Sequence, residues 1–449
     1  MPGVTSHSRR GFVGLALATA AAATARDSAS IGLATSVTRA VPAQSFADAV
    51  GICTHPNWRK TVWGSGKWPA LLAETGVGQV RGKLGAGGVG RAALSDLRGF
   101  FDRGGKLCAL VANSGPVFDL PLIRKNIDFL ASNVGAGHLS AIEGANEYNS
   151  PSDRPPDWAP RLRAFSKWLH DTVRADRRLD GVSLVAPSIW GRLTSDYVAT
   201  GDLGRNVDRG CLHYYTGGRR PTRVGGGILK DELGGILEHT LKDAIRDASI
   251  LAPGKPLWVT EFGYSVAGPG QPLSRHVVSE EAAAKYLLRG LLDMFGEGVE
   301  RIFLYTLLDD RRSPPRYHGL ADEKLRRRPS FHAVKNLMTL MRDSSRPAGL
   351  PAALAYSLGG SSGIKRQLFQ KRDGTFLLTL YQDVDSYDRL RRRNVIVAPR
   401  AVELKLRSAA SMVEVFAPTF DLKPRLRAAN SGRIIVPVGD HVTVVRIAV

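Results

Sequence analysis

A short apolar run followed by an amphipathic stretch of helical period recurs eight times between residues 49 and 341. No other property of the chain limits its fold so tightly, because strand-then-helix repetition builds parallel sheets. The strand-like runs are Ala49–His55, Gln79–Leu84, Leu107–Asn113, Leu139–Asn146, Val182–Trp190, Gly210–Tyr215, Leu257–Phe262 and Arg301–Leu308. They are nearly continuous in apolar residues, as suits parallel strands covered on both faces. Helical patterns are clearest over Pro121–Asn133, Pro160–Arg178, Asp231–Ile250, Ser279–Phe295 and Phe331–Met341. Ser279 followed by Glu280 and Glu281 is a good helix start, a capping hydroxyl and then acids in the first turn. Gly104-Gly105, Gly296 and Gly298 stand where helices should end.

Eight such units match the size of an α/β fold of the (β/α)8 barrel type, spanning 46–345. The competing open, doubly wound sheet usually carries a glycine-rich phosphate turn after its first strand. Here the first strand runs into Cys53-Thr54-His55-Pro56-Asn57-Trp58, with no such turn, and Gly85–Gly90 follows the second unit and reads as a loop. From about 346 helical periodicity gives way to short β-type runs: Thr375–Tyr381, Asn394–Val397, Ala401–Leu406, Ser411–Phe416, Arg433–Val438 and His441–Ala448. Turn signals such as Arg372-Asp373-Gly374 and Asn430-Ser431-Gly432 separate them, so 346–449 is expected to be a small antiparallel β-sandwich. Residues near Ser45–Phe46 could add to its sheet.

Residues 1–25 read as an export signal rather than as fold. Arg9-Arg10 precede an uncharged, alanine-rich run that ends in Ala23-Thr24-Ala25. The run is too short to span a bilayer and resembles a bacterial twin-arginine signal. The protein is therefore expected to be exported, and 26–45 to be a loose linker. Removing the signal deletes two arginines and lowers the formal net charge from +21 to +19. Such a charge draws a protein toward polyanions without saying which, and a generally basic environment explains it equally well. Nothing in the motifs points to nucleic acid, and no other apolar stretch is long enough for a membrane span. Three cysteines, Cys53, Cys108 and Cys211, are too few and too odd for a disulfide framework. Each lies in an apolar run, so buried free thiols are expected. No metal-ligand spacing is present, and neither a metal nor a cofactor is expected.

A barrel of this kind places its chemistry at the carboxyl ends of its strands. The polar residues closing the runs are His55, Arg81 with Lys83, Asn113, Asn146 with Glu147, Trp190, His213 with Tyr215, Glu261, and Tyr305 with Asp309 and Asp310. Two carboxylates across a barrel mouth, Glu147 and Glu261, form the set that glycoside hydrolysis needs: one protonates the leaving oxygen, the other attacks the anomeric carbon or activates water. Taken alone each is ambiguous. Glu147 could be a solvated loop residue, Glu261 half of a structural ion pair, and His213-Tyr214-Tyr215 simply core. Glu261 stands inside Leu257-Trp258-Val259-Thr260-Glu261-Phe262, where a charge costs several kcal/mol unless partnered. Trp58, Trp63, Trp68, Trp158 and Trp190 could line sugar subsites or pack under loops, and Arg219-Arg220, Arg311-Arg312 and Arg326–Arg328 could place positive charge near the mouth.

With those residues in view, the chain resembles the clan of retaining (β/α)8 glycosidases that carry their glutamates on strands four and seven. The resemblance covers residues 49 to 341 and rests on Arg81, Asn146-Glu147, His213, Tyr215 and Glu261. The nearest flavour is the family of β-xylosidases, iduronidases and exopolysaccharide hydrolases, through Asp48–Gly51, Ile142–Glu147, Tyr305–Asp310, His318–Leu320 and Arg328–Ala333. The chain departs from it at Tyr305, where many members have tryptophan, and at Gly82-Lys83, where an acid often follows the arginine. The resemblance implies Glu147 as acid/base and Glu261 as nucleophile. His55, Arg81, Asn146, Trp190, His213, Tyr215 and Tyr305 would then hold substrate or support the pair. The implied partner is a carbohydrate, with the net charge only hinting at an anionic one, taken by a monomer. The alternative is a glycan-binding barrel of the cell envelope that performs no catalysis.

Overall fold

The computed structural model describes residues 36–449 except 113, 114, 116, 152, 153, 192, 193, 225–238, 268–275, 310–316 and 344–350. The expected export signal, the start of the linker, Asn113, Asp310 and Arg311-Arg312 thus lie outside the described residues.

Eight parallel strands form the barrel: β1 Val50–Cys53, β2 Gln79–Gly82, β3 Lys106–Ala112, β4 Leu139–Ala145, β5 Ser183–Val185, β6 Gly210–Tyr214, β7 Leu257–Phe262 and β8 Arg301–Leu304. Their hydrogen-bonded order is β5-β4-β3-β2-β1-β8-β7-β6. A parallel bridge between Val185 and Arg209, with Ala186 N donating to Arg209 O at 2.9 Å, closes β5 onto β6. Every run read as a strand is present, and most end one to four residues early. Only β5 is much shorter than its apolar run, because Ala186–Ile189 leaves the sheet to meet the segment after β4. Helices stand where the periodicity put them. Ser279 caps Glu280–Gly296 by accepting from Ala282 N at 3.0 Å. The expected Asp231–Ile250 helix is seen only as Leu241–Ala248 and a short 3-10 turn, its first half lying outside the described residues.

The second domain is built on one eight-stranded sheet, antiparallel except for one short edge pairing. Its long strand Arg400–Phe416 pairs with Ala353–Gly359 through its first half and with Thr443–Ala448 through its second. A register break lies between Lys405 and Ala410, and one strand replaces the two that were expected. Phe376–Gln382 shows the alternation that a sheet covered on both sides requires. Phe376, Leu378 and Leu380 enter the sheet domain's own core, whereas Leu377 and Tyr381 join the barrel's.

The linker expectation is corrected over 36–42. Ser36–Arg39 pairs antiparallel with Ala353–Gly359, and Val41–Pro42 parallel with Ile364–Gln370. Small and polar residues had looked like slack chain, yet two edges of a distant sheet accept their backbone. Ser45 and Phe46 are not strand but lie in helix Ala43–Ala49. Phe46 packs edge-on against Phe295 of the barrel and Phe369 of the sheet, at 5.3 and 5.6 Å between centroids. Emptying that fully buried position with Phe46→Ala is expected to cost about 3–5 kcal/mol. The helix Glu280–Gly296 is the platform on which the sheet sits. Arg289, wholly buried, donates to Val384 O at 2.9 Å and to Asp383 Oδ1 at 3.1 Å, and Tyr381 Oη donates to Asp293 at 2.7 Å.

Candidate active site

Arg81 organises the barrel mouth. On β2 it points inward, registered beside Cys53 of β1 and Cys108 of β3. Its guanidinium reaches three side chains. Nε and Nη2 fork onto Glu143 at 2.5 and 2.8 Å, Nη1 donates to Glu261 Oε1 at 2.8 Å, and Nη2 also donates to Asn146 Oδ1 at 2.8 Å. The fork suits a planar cation with five donors, and a lysine could not reproduce it. Burial opposes the charge, but the two carboxylates outweigh it and hold Arg81 protonated.

Glu261, near the end of β7, is buried and takes a second hydrogen bond from Tyr215 Oη at 2.6 Å. Burial, then the Glu261 charge, push the Tyr215 phenol well above its ordinary value, so it donates throughout the working range. Glu147 stands two residues beyond β4 with a left-handed backbone, φ 49°. That conformation costs a non-glycine residue about 1–2 kcal/mol. The segment after β5 holds it: Glu147 N donates to Ser188 O at 3.1 Å and lies 3.0 Å from Ser188 Oγ. Strain held at one carboxylate by tertiary contacts is a feature of functional positions.

His213 of β6 joins the two acids. Its Nδ1 is 2.8 Å from Glu147 Oε1 and 3.6 Å from Glu261 Oε2. Burial pulls its pKa down, but the Glu261 and Glu147 carboxylates push harder and leave it raised. The facing donor atoms of Glu147, His213 and Glu261 all lie within 4.8 Å of one another. Such a group, like Glu143 with Cys211 and His213, is compact enough to hold a metal ion. Here the two buried glutamates already share the Arg81 cation, and we assign no metal.

Around this centre Tyr305 meets His55, Tyr215 and His318 edge-on, with centroids 5.6, 6.4 and 5.6 Å apart. His55 stacks flat on Trp58 at 3.7 Å. Lys83 lies just past the carboxyl end of β2 and is half-buried. Burial lowers its ammonium's pKa. Trp190 stands apart: its ring is exposed, and its backbone is clasped by Asn149, which donates to Trp190 O at 2.9 Å. Among the described residues it makes no hydrogen bond to either carboxylate. Trp63, Trp68 and Trp158 are buried in the barrel's hydrophobic core, so the aromatic supply of the mouth is smaller than the sequence offered. Asp309 is a buried ion-pair partner of Arg328 at 2.6 Å.

Glu143 is the member that sequence reasoning missed. It is fully buried, and beyond Arg81 it accepts from Thr260 Oγ1 at 3.2 Å. The three cysteines, free and buried as expected, surround it: Cys108 and Cys211 lie 3.8 and 4.0 Å from its oxygens, and Cys53 is 3.9 Å from Arg81. Burial raises all three thiols, making them a neutral floor rather than nucleophiles.

No protein-family model matches the chain, and no curated protein matches it in sequence. Among solved structures it is similar to a family 39 glycoside hydrolase from Bacteroides cellulosilyticus WH2, with a TM-score of 0.54 and 15% identity, covering 91% of this chain and 82% of that one. It is similar to a monomeric β-xylosidase from Caulobacter crescentus CB15, with a TM-score of 0.56 and 13% identity over 92% and 97% of the two chains. A glucosidase from Croceicoccus marinus aligns with a TM-score of 0.53 and 11% identity over 85% and 91%. At these identities the likeness is one of fold.

Proposed function

We propose that the protein is an exported glycoside hydrolase that cleaves a β-linked oligo- or polysaccharide with retention, using Glu261 as nucleophile and Glu147 as acid/base. One observation carries the reading: the Glu147 and Glu261 oxygens that face His213 lie within 4.8 Å of each other. Retaining enzymes hold their carboxyl groups about 5–5.5 Å apart, whereas inverting ones leave about 6.5–9.5 Å for a water. The neighbours' fold is compatible with the same chemistry.

The two acids have different surroundings, which suits different roles. Arg81 donates to Oε1 of Glu261 and Tyr215 to Oε2, which fixes the carboxylate in position for attack. Glu147 is half-buried, and among the described hydrogen bonds its carboxylate meets only His213. In the first step Glu261 attacks the anomeric carbon while Glu147 protonates the departing oxygen. In the second, Glu147 takes a proton from water, which displaces Glu261. Asn146 gives its amide oxygen to Arg81, leaving its nitrogen to donate to a sugar hydroxyl. Tyr305 and His55 supply ring faces for the sugar.

Glu261→Gln is expected to abolish hydrolysis of aryl β-glycosides while oligosaccharide binding persists. Glu147→Ala should be rescued by azide on substrates with good leaving groups. Proton NMR of the first-formed product, showing the substrate's own anomeric configuration, tests retention directly. An inverted product, or turnover by Glu261→Gln, overturns the assignment.

A further inference from the structure

The second domain reaches the catalytic mouth. Helices of a (β/α)8 barrel run against their strands, so each begins at the end where the strands' carboxyl termini lie. Ser279 opens the helix that follows β7 and is therefore on the same rim as Glu261. A two-stranded hairpin of the sheet domain, Tyr387–Asp388 with Arg393–Asn394, is fastened there. Ser279 Oγ donates to Asn394 Oδ1 at 2.5 Å, and Asn394 Nδ2 donates to Glu281 at 2.9 Å. Just upstream, Asp383 accepts from Thr222 Oγ1 at 2.9 Å and lies 3.6 Å from Arg220 Nε, both on the segment after β6.

The tip of this hairpin is Arg389-Leu390-Arg391-Arg392, with Arg393 opening the second strand, and it is built to hold its shape. Asp388 Oδ1 accepts from Leu390 N at 3.0 Å and Arg391 N at 2.9 Å, and its other oxygen pairs with Arg391 at 2.9 Å. Arg392 and Arg393 are exposed and make no side-chain hydrogen bond or ion pair among the described residues. Leu390 and Ile396 beside them are 77% and 99% exposed. Folding gains nothing from two adjacent unpaired guanidinium groups and two bare aliphatic side chains. Guanidinium forks fit carboxylates, and the aliphatic surfaces can cover the C–H faces of sugar rings.

We propose that this hairpin is an outer binding surface for an acidic polysaccharide, holding carboxylates of sugar units beyond the one being cleaved. The proposal names a substrate class for the reading above and rests on it. Continuity of the hairpin with the rim over β6 and β7 favours a polymer that enters the mouth over a flat anionic bilayer.

The test uses the full chain carrying Glu261→Gln, with and without Arg392→Glu and Arg393→Glu, the fold being checked by circular dichroism. Retention is measured on immobilised polygalacturonate and alginate, on a neutral β-glucan, and on vesicles of phosphatidylglycerol and phosphatidylcholine. The parent should bind the polyuronates but not the glucan, and more weakly as salt rises. The doubly reversed hairpin should bind polyuronate about tenfold more weakly, the sum of several exposed charge contacts. If the Glu pair fails to fold, the Ala pair supplies the same comparison. Equal binding by parent and variant, no polyuronate binding by the parent, or a hairpin effect confined to vesicles overturns the proposal. Turnover of aryl β-glycosides by the unmodified protein is scored separately, so the hydrolase reading can fail while the surface stands, or the reverse.

Discussion

Glu143→Gln reports directly on how the mouth is held together. In the folded protein one guanidinium serves two carboxylates, with two hydrogen bonds to Glu143 and one to Glu261. The amide introduced by the substitution would keep one acceptor and turn a donor toward Arg81, so at least one charge-assisted bond is lost. Each such bond contributes about 1.5–3 kcal/mol, and breaking a buried pair outright costs about 3–5 kcal/mol. Arg81 keeps Glu261, so the lower end applies, about 3 kcal/mol. Glu261→Gln alone removes a single bond and leaves the Glu143 fork, so it should cost less, about 1.5–2 kcal/mol. Together the two substitutions leave a buried guanidinium with no anion. Their combined cost should exceed the sum of the single costs by about 1–2 kcal/mol. Equilibrium urea unfolding of the four proteins at pH 7 measures this coupling. Additivity within about 0.5 kcal/mol would refute the shared-cation description.

Tyr215→Phe removes the 2.6 Å bond to Glu261 and should lower kcat/KM on aryl β-glycosides about 10–100-fold, with the fold unchanged by circular dichroism. His213 has a raised folded-state pKa, so its contribution to stability is complete below its ordinary value, about 6.5, and is lost as pH rises through the folded value. Urea midpoints of the wild type should therefore fall from pH 6 toward alkaline pH more steeply than those of His213→Asn; parallel profiles count against the pairing with Glu147 and Glu261. The three buried thiols should resist iodoacetamide in the native protein and react fully in urea, read by mass spectrometry. Rapid native labelling would show that the barrel floor opens to solvent.

The barrel was legible because its strands are short apolar blocks between amphipathic helices, a pattern little else produces. The proposed catalytic pair could be named because both acids follow or close such blocks. Glu143 was within reach of the argument applied to Glu261: each is a charge inside an apolar run, Leu139–Ala145 in one case and Leu257–Phe262 in the other. The rule that a buried charge needs a partner marks both, and Arg81 is the partner of both. Trp63 and Trp68 stayed open in the sequence because a tryptophan near a mouth and one beneath it look alike there; burial and packing against each other at 5.4 Å decide it. Residues 36–42 were read as slack because a sheet edge is recognised by backbone, and backbone hydrogen bonding leaves little trace in side-chain composition. Ala353–Gly359 and Ile364–Gln370 went unnoticed as strands for a related reason. They mix small or polar residues among their apolar ones: Ala353, Ala355, Ser357 and Gly359 in the first, and Lys365, Arg366, Gln367 and Gln370 in the second.

The pairing of Ser36–Arg39 with Ala353–Gly359 ties together stretches some 320 residues apart in the chain. On the ribosome the first of these emerges long before its partner exists, and it must wait, solvated, while the whole barrel is made. The sheet domain is thus finished last and from both directions. Shortening the chain at its far end would undo contacts at the near one, and the helix carrying Phe46, which leads into β1, would lose its anchor. A fragment cut at the apparent domain boundary near residue 346 should therefore be a poorer barrel than its eight intact strands imply.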